Sequence, residues 1–313
     1  MRAVRNTEDG IRVVSDEGPG PGVTDDLVRV SVASSGICGS DLHLVSFGPS
    51  PVTLGHEFAG HLDDGTRVAV LPFAPCGGCD RCRAGAVQQC PSALAHTYGI
   101  SRDGGMADAA WVAPGCARPL PDALPVEDAC LVEPLAVALH GVHRAGVQPG
   151  MRVLVIGAGP IGLCAVSALR SEGTVPDVSA RRPRRLDAAV RLGARPSVAS
   201  EYDVVLDAAG TQESMDTACR LARPGGTVGV LGSFWSPVTV GLGWQLKEVT
   251  VVPAYTYGHH GGRSEFDAAA DLLARSPALA EVVITHRVDL SDAPEAFRLA
   301  ADRDATIKVV LVT

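Results

Sequence analysis

No stretch of this 313-residue chain is both long and apolar enough to span a bilayer, because its most apolar segment, around Leu163, is short and broken by glycines. A membrane-embedded protein is thereby excluded. The mean hydropathy of +0.17 reads instead as buried parallel strands. Positive charge is also scarce: 27 Lys and Arg against 35 Asp and Glu give a net charge of -8, so a nucleic-acid-binding surface is not expected. The sequence shows no internal repeat, low-complexity tract or lipidation signal, which excludes solenoids, linkers and lipid anchors. No signal peptide precedes its cysteines, so a reducing, cytoplasmic setting is expected. The length suggests two domains, and 46% hydrophobic residues suffice for two cores.

The most specific feature present is Cys76, Cys79, Cys82 and Cys90, a C-x2-C-x2-C-x7-C array. Thiolates at such spacings reach one tetrahedral zinc from a single loop and leave no open position, which makes residues 76–90 a structural zinc lobe. Two disulfides are the alternative pairing, disfavoured where thiols stay reduced. Cys116, Cys130, Cys164 and Cys219 are scattered in apolar surroundings and read as core thiols.

A second metal signal lies upstream in GICGSDLH (residues 36–43) and GHEFAG (residues 55–60). Cys38, His56 and Glu57 form a mixed, under-saturated donor set, as required of a zinc that keeps a position for water or substrate. Singly, each has a plain structural reading as a buried thiol, a core histidine and a surface charge. Their glycine-punctuated setting just ahead of the zinc lobe favours the metal.

The third signal is VLVIGAGPIGL (residues 153–163). An apolar strand runs into Gly157-x-Gly159-Pro160-Ile161-Gly162, the turn and helix start of a dinucleotide-binding βαβ unit. Gly157 permits the turn, Gly159 admits a pyrophosphate, and Gly162 allows close packing of helix on strand. The helix N-terminus attracts the phosphate charge.

With these motifs, DGGMADAAWV (103–112), LVEPLAVALHG (131–141) and LSDAPEAFRLA (290–301) added in the same order, the chain resembles the zinc-containing medium-chain dehydrogenase/reductase family, in particular its sorbitol, threonine and polyol dehydrogenase branch. The resemblance implies an α/β protein with a GroES-like β-rich catalytic domain and a Rossmann doubly wound parallel sheet. Expected boundaries are 1–147 for the catalytic domain, 148–257 for the Rossmann domain, and 258–313 for a segment completing the first. It further implies that Cys38, His56 and Glu57 hold the catalytic zinc, with Glu133 as a ligand or just outside it. Ser40 would bond the substrate oxygen and accept its proton, which His43 would pass to water. The two distinct ligand sets predict two zinc ions per chain, and the resemblance implies a homodimer or homotetramer.

Cofactor choice turns on the residue after the second Rossmann strand, where an acid would bond the ribose of NAD. The register places Ala180 there, followed by Arg181, Arg182, Pro183, Arg184 and Arg185, so NADP is favoured, with Arg181 and Arg185 gripping the 2′-phosphate. Asp177 is the rival acid, because Pro176 interrupts the strand. His259 and His260 invite a metal reading but read better as a solvated loop, and 223–226 reads as a turn.

Only 17 residues separate Cys38 from His56, and the run from His61 to Arg67 is brief, so the chain is expected to be short in its first ~60 positions. The expected activity is zinc-dependent, NAD(P)-linked interconversion of a secondary alcohol or polyol-like hydroxyl and its ketone. Alternatives are a biosynthetic carbonyl reductase or amino-alcohol dehydrogenase and a catalytically silent NAD(P)H-binding protein. The intact metal set disfavours the silent protein and the zinc-free quinone reductases.

Overall fold

The computed structural model describes residues 1–19 and 26–313, which divide into two compact units. One comprises Met1–Glu133, Gly262–Ala280 and Ile284–Thr313, and the other Pro134–Gly261 and Glu281–Val283.

The first unit opens with an antiparallel hairpin of β1 (Arg2–Thr7) and β2 (Gly10–Ser15). Strand β3 (Val28–Gly36) alternates apolar and polar residues, burying Val30 and Val32. Helix α1 (Gly39–Leu44) follows it directly. Strands β4 (Glu57–Leu62) and β5 (Arg67–Val70) are joined by a tight turn in which the Leu62 amide donates to the Thr66 carbonyl, which accounts for the brevity of that stretch. The cysteine lobe contains the short helix α2 (Asp80–Arg83) and a 3-10 turn at Val87–Gln89, and α3 (Pro91–Ala95) follows it. Strand β6 (Ala109–Val112) pairs with β3, and β7 (Ala117–Pro119) with β5. Val30, Val32, Phe58, Val68, Val70 and Tyr98 form the core beneath this sheet.

Helix α4 (Val132–Arg144) leads into the second unit. Strand β8 (Val153–Ile156) is wholly buried, and α5 (Pro160–Ser171) starts at the glycine turn. Next come β9 (Asp177–Ser179), α6 (Pro183–Arg191), β10 (Tyr202–Asp207), α7 (Gln212–Leu221), β11 (Ala222–Val230), α8 (Leu242–Leu246) and β12 (Thr250–Pro253). The strands form a parallel sheet in the order β12-β11-β10-β8-β9. Against the doubly wound order 3-2-1-4-5-6 these are strands 6, 5, 4, 1 and 2. The third is reduced to a single parallel bridge, Asp177 to Arg195, and the chain passes from there to β10 without a crossover helix. The chain is therefore short at its third strand, a place the sequence reading did not name. A second correction concerns Arg223–Gly226, which lies inside β11: pairing jumps from Tyr202↔Ala222 to Val204↔Thr227, so the segment is accommodated as a bulge rather than a turn before the strand.

Short strands β13 (His259–His260) and β14 (Arg263–Ser264) precede α9 (Glu265–Arg275) and α10 (Pro277–Val283). The chain then supplies β15 (Ile284–Asp289), α11 (Ala293–Ala301) and β16 (Lys308–Val312) to the first unit. Strand β16 runs antiparallel to β3 and completes a seven-stranded sheet. Leu290, Phe297, Val309 and Leu311 pack there with Val4, Ile37, Leu54 and Met106. Cys116, Cys130 and Cys164 are buried, while Cys219 is partly buried against the second core. Among the described residues no helix is long and apolar enough to cross a membrane.

Candidate active site

Cys38 stands two residues beyond β3 and caps α1, with its N–H donating to Asp41 Oδ2 at 2.8 Å. This capping satisfies one of the backbone donors that a helix start leaves unpaired, so the turn presenting the thiol is held by the sequence C-G-S-D itself. His56 and Glu57 arrive at the start of β4, where Glu57 stands opposite Gly36. The result is that one ligand atom from each of Cys38, His56 and Glu57 lies within 4.8 Å of the others. A thiolate, an imidazole and a carboxylate this close, with His56 and Glu57 buried, suit a zinc ion that retains an open position. Ser40 Oγ stands 3.3 Å from Cys38 Sγ, and His43 lies in the last turn of α1. Glu133, in the first turn of α4, is 7% exposed but is not one of the three converging ligands.

Two residues unremarked in the sequence hold this cluster in place. Asp41, fully buried, turns Oδ1 toward His56 Nδ1 at 3.3 Å, fixing the ring so that Nε2 remains for a metal. Burial pushes the His56 pKa down, but the Asp41 and Cys38 charges outweigh it and hold the group well above its usual value. Lys308, at the start of β16, pairs with Glu57, and the two side chains are 2% and 1% exposed. Burial opposes the lysine's charge, and the Glu57 carboxylate more than compensates, raising its pKa. Breaking such a pair by removing one partner costs about 3–5 kcal/mol.

The four lobe cysteines also converge to within 4.8 Å. Cys79 Sγ lies 3.6 Å from Cys82 Sγ, and the Cys76 amide donates to Cys90 Sγ at 3.3 Å. That amide, above all, draws the Cys90 thiol down to about 6, while burial pushes Cys82 up to about 12. Four thiols this close cannot all ionise without a cation among them, which is the condition a structural zinc meets.

In the second unit, Gly157 adopts φ +94 and Gly159 caps α5, with Pro160 and Ile161 opening the helix. A Cβ on Gly162 would overlap the Gly157 carbonyl oxygen, so only glycine permits this packing. Ser179 pairs with Ile156 and accepts from the Gly157 amide, which puts Ala180 immediately beyond the last paired residue of β9. Arg185 places a guanidinium nitrogen 3.6 Å from the Cβ position of Gly159. Arg181 forms an exposed pair with Glu213 at 3.1 Å. Asp177, the rival acid, is buried and accepts bonds from Tyr202, Arg195 and Ser197 at 2.7–2.9 Å. His259 and His260 are both exposed but form the short strand β13 rather than a loop, and the His260 ring stacks 3.8 Å from that of His143, which bonds Glu172.

Comparison with known proteins agrees with this architecture. The alcohol dehydrogenase GroES-like domain profile matches residues 24–122, and the glucose dehydrogenase C-terminus profile matches 126–312. Galactitol 1-phosphate 5-dehydrogenase of Escherichia coli K12 is 31% identical, with 100% of each chain covered. The chain belongs to the zinc-type medium-chain dehydrogenase/reductase family. Similar solved structures include a protein described as a short chain alcohol dehydrogenase, from E. coli CFT073 and complexed with NADH, which is 27% identical with a TM-score of 0.88, covering 100% of this chain and 99% of that one. A zinc-binding dehydrogenase from Sinorhizobium meliloti 1021 bound to NADP is 30% identical with a TM-score of 0.86 at the same coverage. This family member is an oxidoreductase with a GroES-like sheet and a Rossmann-like sheet.

Proposed function

We propose that this dehydrogenase interconverts a polyol-like secondary alcohol and its ketone, with NADP as the preferred cofactor and two zinc ions per chain. The observation that carries the reading is the convergence of Cys38, His56 and Glu57 within 4.8 Å, with a serine hydroxyl beside them. A zinc ion on these three residues would supply Lewis-acid polarisation of the alcohol oxygen. A nicotinamide dinucleotide at the glycine turn would supply the hydride acceptor. Ser40 takes the hydroxyl proton, and His43, three residues further along α1, releases it to water. Cys76, Cys79, Cys82 and Cys90 hold the second ion as a scaffold.

NADP is favoured because Ala180 offers a 2′-phosphate no repelling carboxylate, with Arg181 and Arg185 close by. Asp177 is already engaged by Tyr202, Arg195 and Ser197 and has little to offer a ribose. Cytoplasmic location fits reduced lobe thiols, and a homodimer or homotetramer follows from the family, to be measured by light scattering.

The deciding experiment is cofactor reduction across sugar alcohols, polyol phosphates, aminocyclitols and simple secondary alcohols. Turnover with at least one polyol, abolished in Cys38→Ala, is expected. Tight dinucleotide binding with no turnover on any of them would overturn the reading in favour of a silent NAD(P)H-binding protein. For the cofactor, Ala180→Asp should shift the kcat/KM ratio toward NAD roughly tenfold or more, and Arg181→Ala should weaken NADP alone. A wild type that prefers NAD would refute the assignment.

A further inference from the structure

The parallel sheet brings two charged residues together beside the glycine turn. Strand β8 has β9 on one side and β10 on the other, so the chain leaving β9 at Ala180 and the chain leaving β10 at Ala208 both emerge next to Gly157. Contact on the β10 side is close. The Ala208 amide donates to the Ile156 carbonyl at 2.9 Å, and a Cβ at Gly157 would come 3.2 Å from Ala209 Cβ. Helix α7 therefore starts in a fixed place, because Asp207 accepts the Ala209 and Gly210 amides with one oxygen and the Ser214 hydroxyl with the other. Thr211 caps this helix, and Glu213 stands in its first turn. From the β9 side Arg181, one residue beyond Ala180, reaches Glu213 with Nη1 at 3.1 Å. The two side chains are 75% and 72% exposed, so water screens the pair.

We propose that Glu213 is a specificity-determining residue for the dinucleotide, lowering affinity for one that carries a 2′-phosphate and leaving affinity for one with a free 2′-hydroxyl unchanged. This rests on the NADP reading above, in which Arg181 attracts that phosphate. Open parallel sheets take their ligands at the carboxyl ends of the strands, and here the glycine turn lies between the two loops that carry Arg181 and Glu213. An arginine that answers a phosphate in this place has Glu213 beside it. Two effects then oppose each other. The carboxylate holds the guanidinium ready, but an ion pair exposed on both sides contributes little, so little preorganisation is lost without it. Against that, a full negative charge separated from a phosphate dianion by one guanidinium cancels much of the attraction the arginine offers. Repulsion is the larger effect. A ribose with a free 2′-hydroxyl brings no charge and leaves the pair intact. The acid that is missing at Ala180 is thus partly replaced by one supplied from beyond the neighbouring strand β10.

The test titrates the full chain, as purified with its metal, with 2′-phospho-ADP-ribose and with ADP-ribose in a calorimeter. Neither probe carries a nicotinamide, so binding is read without turnover. Glu213→Gln should bind 2′-phospho-ADP-ribose about two- to fivefold more tightly than wild type and ADP-ribose equally well. Glu213→Lys should extend the gain to about tenfold, because the effect follows charge. Raising the salt should shrink both gains, since the groups are exposed. Unchanged affinities in Glu213→Gln would overturn the proposal. So would equal changes for both probes, which would leave Glu213 only an acid favoured by the first turn of α7. Weaker binding of the phosphorylated probe by Glu213→Gln would make the carboxylate a support for Arg181 and overturn it as well. The NADP reading has readouts of its own. An Arg181→Ala variant that binds 2′-phospho-ADP-ribose as wild type does would remove the arginine grip and the proposal with it. A wild type that binds ADP-ribose more tightly would refute the NADP preference alone, and Glu213→Gln would still decide the role of Glu213 by moving, or failing to move, the ratio of the two affinities.

Discussion

At the scale of single residues, the site is a set of donors whose neighbours are as specified as the donors themselves. On the proposed reading Cys38 and His56 do chemistry more than scaffolding, so Cys38→Ala and His56→Ala should each lower kcat by about a thousandfold or more while leaving a folded protein that still binds dinucleotide. Circular dichroism and dinucleotide titration check the second half; a loss of folding equal to that of Cys82→Ala would contradict the assignment. Asp41 serves the helix cap with one oxygen and His56 with the other. Asp41→Asn retains an acceptor for the cap and loses the charge beside the ring, so active-site metal affinity should fall roughly 10–100-fold with little change in melting temperature. Competition with a chromophoric chelator measures this. Neither Asp41 nor Lys308 carried a signal in the sequence beyond ordinary charge, because each acquires its role from the residue it faces.

At the scale of elements, the lobe and the end of the parallel sheet behave differently. Residues 76–90 hold only the one-turn helix α2 and a 3-10 turn at Val87–Gln89, so on the zinc reading the shape of the lobe depends on four sulfurs. Cys82→Ala should therefore destabilise it and release its metal, and limited proteolysis should cut within residues 76–90 in the variant first. At the edge of the parallel sheet, Asp177 does part of the work that a third strand would do, tying Tyr202, Arg195 and Ser197 to β9. Burial raises the Asp177 pKa, and the bonds from Tyr202, Arg195 and Ser197 more than offset it, so the folded value lies below the usual one. A lowered carboxylate contributes stability above its unfolded pKa and loses it as pH falls through the folded value. Asp177→Asn should accordingly be less stable than wild type at neutral pH, and the difference should close on acidification below about pH 4. Melting curves across that range decide it; a gap independent of pH would assign the loss to geometry instead of charge.

For the whole molecule, two metal sets of different openness imply two ions of different lability. Metal analysis of freshly purified protein should find two zinc ions per chain. Brief chelation should remove one, abolishing turnover while leaving the fold, and longer chelation should remove the lobe zinc with loss of structure. One ion or none in unchelated protein would sink the two-site reading. Legibility followed the same division. The GroES-like and Rossmann-like parts were readable because their motifs are local and lie in order along the chain. The reduced third strand was not, since 194–201 contains nothing that declares a missing helix. Nor was the bulge at Arg223–Gly226, whose Pro-Gly-Gly composition reads locally as a turn while the pairing with β10 continues on either side.

What the sequence determined by itself is what short stretches of chain can close alone. Four cysteines within 76–90 must meet, a thiol capping a turn must face outward from it, and a glycine triplet after an apolar strand must turn tightly. Only the tertiary structure decided which residues stand behind these groups. Lys308 reaches Glu57 because β16 and β4 share β3 as a neighbour, and Tyr202 reaches Asp177 across the parallel sheet. Strand order follows from burying the cores of the whole chain, so partners supplied across a sheet appear in no window of sequence, however specific the motif they serve.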